Sequence, residues 1–255
     1  MAKTIQGKRV KNIFNPKAAE PFALSRSKLD DFFRCERCFY MDRRLGVEKP
    51  SMPGFTLNIA VDALLKKEFD IHRAQGEPHP LMKTYGVDAV PYRDERLDEW
   101  RNNFKGIRYL HEPTNLLIYG AIDDVWVDRG GKLAIVDYKA TSTSAEVTLE
   151  GEYKEGYKRQ MEIYQWLFRR NGFNVADVGY FVYANGQKDR AAFDGRLEFE
   201  VQIIPYKGND GWVEDAIMRA KKVLMKDALP DMSPTCEHCA YRAVARSVEE
   251  TRTRI

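Results

Sequence analysis

The sequence of 255 residues contains no stretch approaching the roughly 18 to 20 continuous apolar residues that a membrane-spanning helix needs. Its opening residues, MAKTIQGKRVKNIF, are basic but lack the apolar centre of a secretory signal. These two absences point to a cytoplasmic protein with no membrane partner. No internal repeat and no low-complexity tract interrupts the chain, so repeat architectures are set aside. The net charge is only +3, so global charge by itself does not predict nucleic-acid binding. Acidic residues are missing from positions 1–19, where Lys3, Lys8, Arg9, Lys11 and Lys17 stand. Residues 1–24 therefore read as a solvated, poorly ordered basic leader, the alternative being an arm that contacts phosphates.

What is present suits a folded domain. Hydrophobic residues make up 44% and charged residues 31%, a balance that supports a sizeable core. The length fits one large domain, or a domain with a small appendage. The expectation is a leader over 1–24 and one domain over 25–255. The run SRSKLDDFFRCERCFYMDRR predicts a helix, with Ser27 as its cap and Asp30 as the acidic half of a capping box. A second helix is expected over 56–74, because Leu57, Val61, Leu64, Leu65 and Phe69 recur at helical spacing. The charged segment 92–109 reads as partly helical. LLIYGAIDDVWVD and KLAIVDYKA read as a β-hairpin around Asp128-Arg129-Gly130-Gly131-Lys132. A helix over 157–171, a strand at VGYFVYANG with a turn at Asn185-Gly186, a strand at RLEFEVQIIPY and a closing helix at GWVEDAIMRAKKVLMKDAL follow. This order predicts an α/β or α+β sheet domain with helices around it.

The hairpin carries the chemistry. Asp137 and Lys139 stand two apart on a strand, so their side chains leave the same face. A three-residue loop, Arg129–Gly131, sets Asp123 directly opposite Asp137, and a two-residue loop sets Asp124 there instead. Cross-strand partners have Cβ atoms about 4.5–5.5 Å apart. Two carboxylates that close repel unless a cation lies between them or one is protonated. Oxygen-only ligands suit Mg²⁺ or Mn²⁺, and an ammonium at Lys139 is placed to orient a water or to stabilise charge added to phosphorus. Taken alone, D-x-K reads more simply as an Asp–Lys pair on a surface hairpin.

The neighbouring residues change that reading. Gly120-Ala121-Ile122-Asp123 followed by Ile135-Val136-Asp137-Tyr138-Lys139-Ala140-Thr141 resembles the G-x-I-D … V-D-Y-K-x-T pattern of RecB-like PD-(D/E)XK nucleases. Gln160 and Tyr164, at i and i+4, resemble the Q-x-x-x-Y motif of that branch. Leu57-Asn58-Ile59-Ala60-Val61-Asp62 resembles the helix that carries a metal-binding histidine there. Asp62 occupies the matching position in this chain, with Glu68 in reserve. The resemblance spans residues 27–241. It implies a restriction-endonuclease-like α/β fold, a central mixed β-sheet flanked by helices. It also implies that Asp62, Asp123, Asp137 and the Tyr138 carbonyl hold the metal. Lys139 then acts on the water, and Gln160 and Tyr164 face the DNA strand or support the site.

The cysteines fall in two C-x-x-C pairs, Cys35/Cys38 and Cys236/Cys239, near opposite ends of the chain. In a reducing compartment such pairs read first as metal ligands. Four thiolates suit zinc or an iron–sulfur cluster, and their distance in sequence excludes a local zinc finger. The flanking segments, Phe32 to Tyr40 and Pro234 to Tyr241, resemble those of RecB-like nucleases with an iron–sulfur clasp, such as the CRISPR-associated exonucleases and the AddB nuclease domain. That resemblance implies a 4Fe-4S cluster joining the two ends of the chain, with Zn²⁺ as the alternative. The relatives mostly place one cysteine early and three late, whereas this chain divides them two and two.

Three functions compete. The first is a Mg²⁺- or Mn²⁺-dependent exonuclease acting on single-stranded DNA or DNA ends, with partners in a repair, recombination, phage or CRISPR complex. The second is a non-catalytic DNA- or partner-binding module on the same fold. The presence of Asp123, Asp137 and Lys139 together argues against it. The third, a thiol redox protein, lacks a thioredoxin-like β-α-β setting for either cysteine pair.

Overall fold

A computed structural model of the protein describes residues 8–50 and 53–252. Lys3, in the expected leader, lies outside them. The elements are β1 (Phe22–Ser25), α1 (Arg26–Arg34), α2 (Glu36–Arg43), α3 (Thr56–Gln75), α4 (Pro80–Thr84), β2 (Ala89–Pro91), α5 (Leu97–Trp100), β3 (Ile107–His111) and β4 (Leu116–Gly120). There follow β5 (Asp124–Asp128), β6 (Leu133–Thr141), α6 (Glu152–Arg170), β7 (Val178–Gly186), β8 (Phe199–Lys207), α7 (Val213–Leu224) and α8 (Glu237–Arg252). The chain forms two compact units. One comprises Met1–Met52, Leu110–Ile118 and Glu214–Ile255, and the other Pro53–Tyr109 and Tyr119–Val213.

The second unit holds a five-stranded mixed sheet in the order β2-β5-β6-β7-β8, with β6 and β7 parallel and the other pairs antiparallel. The parallel pair needs a crossover, and α6 supplies it. Alternation along the central strand β6 separates two environments. Val136 and Tyr138 join a core with Val61, Leu65 and Phe69 of α3 and with Trp126, Val182, Ala184 and Ile203. Phe69 stacks on Trp126 with ring centres 5.4 Å apart. Burying each such aromatic side chain stabilises the unit by roughly 1.5–3 kcal/mol. Asp137 and Lys139 turn to the opposite face, where α6 packs. At Gly179 of β7, an added Cβ would fall on the Met161 sulfur of α6, so only glycine permits this approach of helix to sheet.

The β5–β6 hairpin adopts the three-residue loop. Asp124 pairs with Val136 and Val127 with Leu133, and the Asp128 N–H donates to the Lys132 carbonyl. Gly131 sits at φ 76°, the left-handed position that such a loop reserves for glycine. The run LLIYGAIDDVWVD is not one strand, however. It breaks at Ala121–Asp123, and β4 belongs to a separate three-stranded sheet in the order β1-β4-β3.

Other boundaries also differ from expectation. The first predicted helix is two helices, α1 and α2, parted at Cys35, whose backbone is extended (φ −166°, ψ 110°). α1 begins after Ser25, which makes no side-chain cap, so the Ser27 capping box does not form. α3 matches its expected span within a residue and stops at Gly76, which is left-handed at φ 72°. Leu57 and Leu64 of its apolar pattern are exposed. Only Leu97–Trp100 is helical in the charged segment. α6 starts at Glu152, five residues early, and β7 runs through Asn185-Gly186 without turning there. Helix α8 begins between Cys236 and Cys239, carries Cys239, and had no counterpart in the sequence reading. Within the expected leader, Phe14 and Leu24 are buried.

Candidate active site and cysteine centre

In the second unit the residues that the sequence singled out fall into two groups, Asp137 with Lys139 and Gln160, and Asp62 with Asp123. Asp137 is fully buried. Its Oδ1 accepts a 2.7 Å hydrogen bond from the Gln160 side-chain amide of α6, and its Oδ2 meets the Lys139 ammonium. Lys139 in turn lies 4.6 Å above the centre of the Tyr157 ring. Tyr164, one turn beyond Gln160, is only 3% exposed.

Asp123 precedes β5 and is held from three sides. Its Oδ2 accepts the Tyr138 backbone N–H at 2.9 Å, and its carbonyl accepts from Arg101 Nε at 2.9 Å. Its Oδ1 lies 3.2 Å from Lys66 Nζ. Asp62, one turn earlier on α3, takes the same ammonium at 2.8 Å. Burial, and then the negative charge of Asp123, raise the Asp62 carboxyl above the ordinary carboxylate range, with Lys66 opposing both. Burial disfavours the charged form of Lys66, but the attraction of Asp123 and Asp62 outweighs it and raises its pKa. Glu68, the reserve ligand, faces away from this cluster and meets His79 Nε2 at 2.8 Å.

Asp62, Asp123 and Asp137 do not converge as one ligand group among the described residues, where only the four cysteines do. Lys66 links Asp62 to Asp123, and Lys139 engages Asp137. The donor set is nonetheless all oxygen, and an ammonium already stands between two of its members, so a hard cation suits the Asp62–Asp123 pair.

Beneath the acids lies a network that sequence reading did not identify. Asp124 is fully buried, and its carboxylate receives the Tyr138 hydroxyl (2.7 Å), the Val125 N–H (2.8 Å), Arg101 (3.1 Å) and Arg73. Arg101 also clamps Asp70 with bonds of 3.0 and 2.8 Å. Tyr138 therefore serves both neighbouring aspartates, its N–H bonded to Asp123 and its hydroxyl to Asp124. The only sequence hint was the doubled acid Asp123-Asp124.

Beside Lys139 lies a second group that had no sequence signature. Lys154 donates to the Tyr183 hydroxyl at 2.9 Å and lies 5.3 Å from the Tyr157 ring centre. Tyr153 packs edge-on against Tyr157 and is 74% exposed. Burial lowers the pKa of Lys154, and the nearby Lys139 charge acts in the same direction.

The cysteine centre lies in the first unit. The Sγ atoms of Cys35 and Cys239 are 3.8 Å apart, Cys38 and Cys236 3.7 Å, and Cys38 and Cys239 3.4 Å. No disulfide links them. The Ser233 N–H points at Cys35 Sγ from 3.5 Å. Burial would raise the Cys35 thiol, but hydrogen bonds from Ser233, Cys38, Cys239 and Cys236 lower it to about 7, while burial and the same sulfur contacts raise Cys38. The break between α1 and α2 at Cys35 is what turns its sulfur toward the others. The four sulfurs lie within 4.8 Å of one another, so the centre joins the N- and C-terminal segments with enough ligands for a metal.

No curated protein matches the chain. A solved structure described as "Crystal structure of SSO0001" aligns with a TM-score of 0.32 at 14% identity, over 85% of this chain and 81% of that one. The model of the PD-(D/E)XK nuclease superfamily matches residues 59–244, a span that includes Asp62, Asp123, Asp137, Lys139 and Gln160. Matched over well more than half its length, the chain belongs to the PD-(D/E)XK nuclease superfamily.

Proposed function

We propose that the protein is a divalent-metal-dependent deoxyribonuclease of the RecB-like branch, acting as an exonuclease on DNA ends or single strands. The observation that carries this reading is the Asp137–Lys139 pair on one face of β6, with Gln160 donating to Asp137, and Asp123 bonded to the backbone N–H of the next residue, Tyr138. Asp62, Asp123, Asp137 and the Tyr138 carbonyl would hold Mg²⁺ or Mn²⁺. Such an ion, when bound, lowers the pKa of a water and offsets charge on a phosphodiester. Gln160 fixes the Asp137 carboxylate, so its orientation does not have to be found during the reaction. Lys139 supplies a positive charge beside the point where negative charge accumulates. The Lys154 and Tyr153 group, next to Lys139, offers an ammonium and an exposed ring of the kind that holds phosphate and base of a single strand.

At the cysteine centre the sulfur spacing favours a single four-coordinate ion. Zinc–sulfur bonds of about 2.3 Å make a tetrahedron with edges of about 3.8 Å. Three of the six sulfur–sulfur distances, at 3.4–3.8 Å, are close to that edge, and all six lie within 4.8 Å. A four-iron cube bonds each thiolate to a different iron and requires these sulfurs to move apart. In either form the centre clasps the two ends of the chain.

The test is digestion of end-labelled single- and double-stranded DNA with Mn²⁺ by the wild type and by Asp137→Ala. Metal-dependent cleavage lost in the variant, with DNA binding retained, is expected. Wild-type protein that binds DNA and cleaves neither DNA nor RNA with any divalent ion leaves only a binding module.

A further inference from the structure

The ammonium of Lys66 stands 2.8 Å from Asp62 Oδ2 and 3.2 Å from Asp123 Oδ1. The first contact alone is an ordinary pair one helical turn apart. The second reaches a different element, the approach to β5, and makes Lys66 a bridge between two acids that otherwise repel. Lys66 and both carboxylates are half-buried, with side-chain exposures of 22%, 33% and 22%. The charge at the centre of this cluster is therefore partly shielded from water and supplied by the chain itself.

We propose that Lys66 is a built-in counter-cation that occupies the Asp62–Asp123 site until a divalent ion displaces it. This rests on the reading of those acids as metal ligands. Mg²⁺ bonds oxygen at about 2.0–2.1 Å. An ion shared by the two carboxylates would lie against the present position of Lys66 Nζ, and two cations do not share that volume. Metal entry thus moves the ammonium off its partners, and the long, flexible stem of lysine permits the swing. The consequence is a site whose carboxylates stay close together without metal, but whose metal affinity is reduced by the cation that must leave. Lys66 is in this account a positioning residue.

Calorimetric titration of Mn²⁺ into full-length protein with its cysteine centre filled tests the proposal directly. Lys66→Met keeps most of the stem and removes the charge. It is expected to bind Mn²⁺ about tenfold tighter than the wild type, because no cation has to be displaced. Its melting temperature without added divalent ion is expected to fall, and Mn²⁺ to raise it by more than in the wild type. Unchanged or weaker Mn²⁺ binding by Lys66→Met overturns the proposal. A readout on the wild type needs no variant. After reductive ¹³C-methylation the Lys66 resonance is expected to shift on adding Mg²⁺ toward that of a solvated lysine, and a resonance that stays put sinks the idea. The double variant Asp62→Asn/Asp123→Asn separates the two levels of the argument. If it binds Mn²⁺ like the wild type, no ion sits between these acids and the metal-ligand reading fails. If it loses Mn²⁺ while Lys66→Met matches the wild type, only the role of Lys66 falls.

Discussion

The Gln160 side chain donates to Asp137 Oδ1 at 2.7 Å, tying the crossover helix to the central strand at the residue on which the proposed chemistry turns. Asp137 is buried, and its other oxygen meets Lys139, so losing the amide frees the carboxylate to rotate toward the lysine. Gln160→Ala is expected to lower kcat for DNA cleavage about 10- to 100-fold, as removal of an outer partner of a ligand typically does. KM should change little. Cleavage of end-labelled DNA by the variant at the wild-type rate would show that the amide does not position Asp137.

Asp124 is the electrostatic centre of the second unit. Two guanidinium groups, a phenol and a backbone N–H converge on a carboxylate with no solvent exposure. Removing one partner of a buried set leaves the remaining charges uncompensated. Asp124→Asn is expected to cost about 3–5 kcal/mol in denaturant unfolding, a large share of the stability of a typical domain. Because Arg101 also holds the Asp123 carbonyl, the same variant should weaken Mn²⁺ binding. A loss below about 1 kcal/mol would place the network among ordinary surface pairs.

The hairpin was legible but its register was narrowed only to two, because the loop length fixes every pair; the structure adopts the three-residue loop, with Gly131 in the left-handed position. The resemblance implied only that Gln160 faces the DNA strand or supports the site, and its bond to Asp137 was not foreseen. The break at Cys35 was not legible, since local propensity favours one continuous helix and the sulfur that Cys35 meets lies near the other end of the chain. Lys66 was hidden for a similar reason. Its spacing from Asp62 reads as a common helical pair, and nothing local reveals that Asp123 lies on its other side. Leu57 and Leu64 misled in the reverse sense, because helical spacing identifies apolar positions without saying which ones the sheet covers.

Tyr153 tests the substrate class. Its ring is exposed beside Lys154, and the Tyr157 ring that it contacts is shared by Lys139 and Lys154. Stacking of a base on an aromatic contributes about 1–3 kcal/mol. Tyr153→Ala is therefore expected to weaken single-stranded DNA binding about fivefold or more, with duplex binding less affected. Fluorescence anisotropy with Ca²⁺ in place of Mn²⁺ measures this without cleavage. Equal losses for single strand and duplex would assign the effect to general packing.

The cysteine centre yields a compositional prediction. With contacts of 3.4–3.8 Å among its sulfurs, protein purified without oxygen is expected to carry one zinc per chain and no absorption near 400 nm. Cys236→Ser should lose the metal and lower the melting temperature, since closing so long a loop stabilises by restricting the unfolded chain. Four irons with matching sulfide in the purified protein would instead mean that the sulfurs spread to accept a cluster.

Acid stability follows from Asp42 in the first unit. Burial alone would raise its pKa, but bonds from Arg43 and Lys28 outweigh that and hold it below the ordinary value of 3.8. Arg9 adds a third contact at 2.9 Å. A carboxyl depressed by folding stabilises the native state when ionised, so its contribution is full above the unfolded value and disappears as pH falls through the folded one. Asp42→Asn should therefore lower the melting temperature at pH 7 and do so progressively less below about pH 4, where the wild type also loses its charge. A gap between the two melting curves that stays constant from pH 7 to pH 3 would show that Asp42 acts through shape and hydrogen bonding, with its charge contributing nothing.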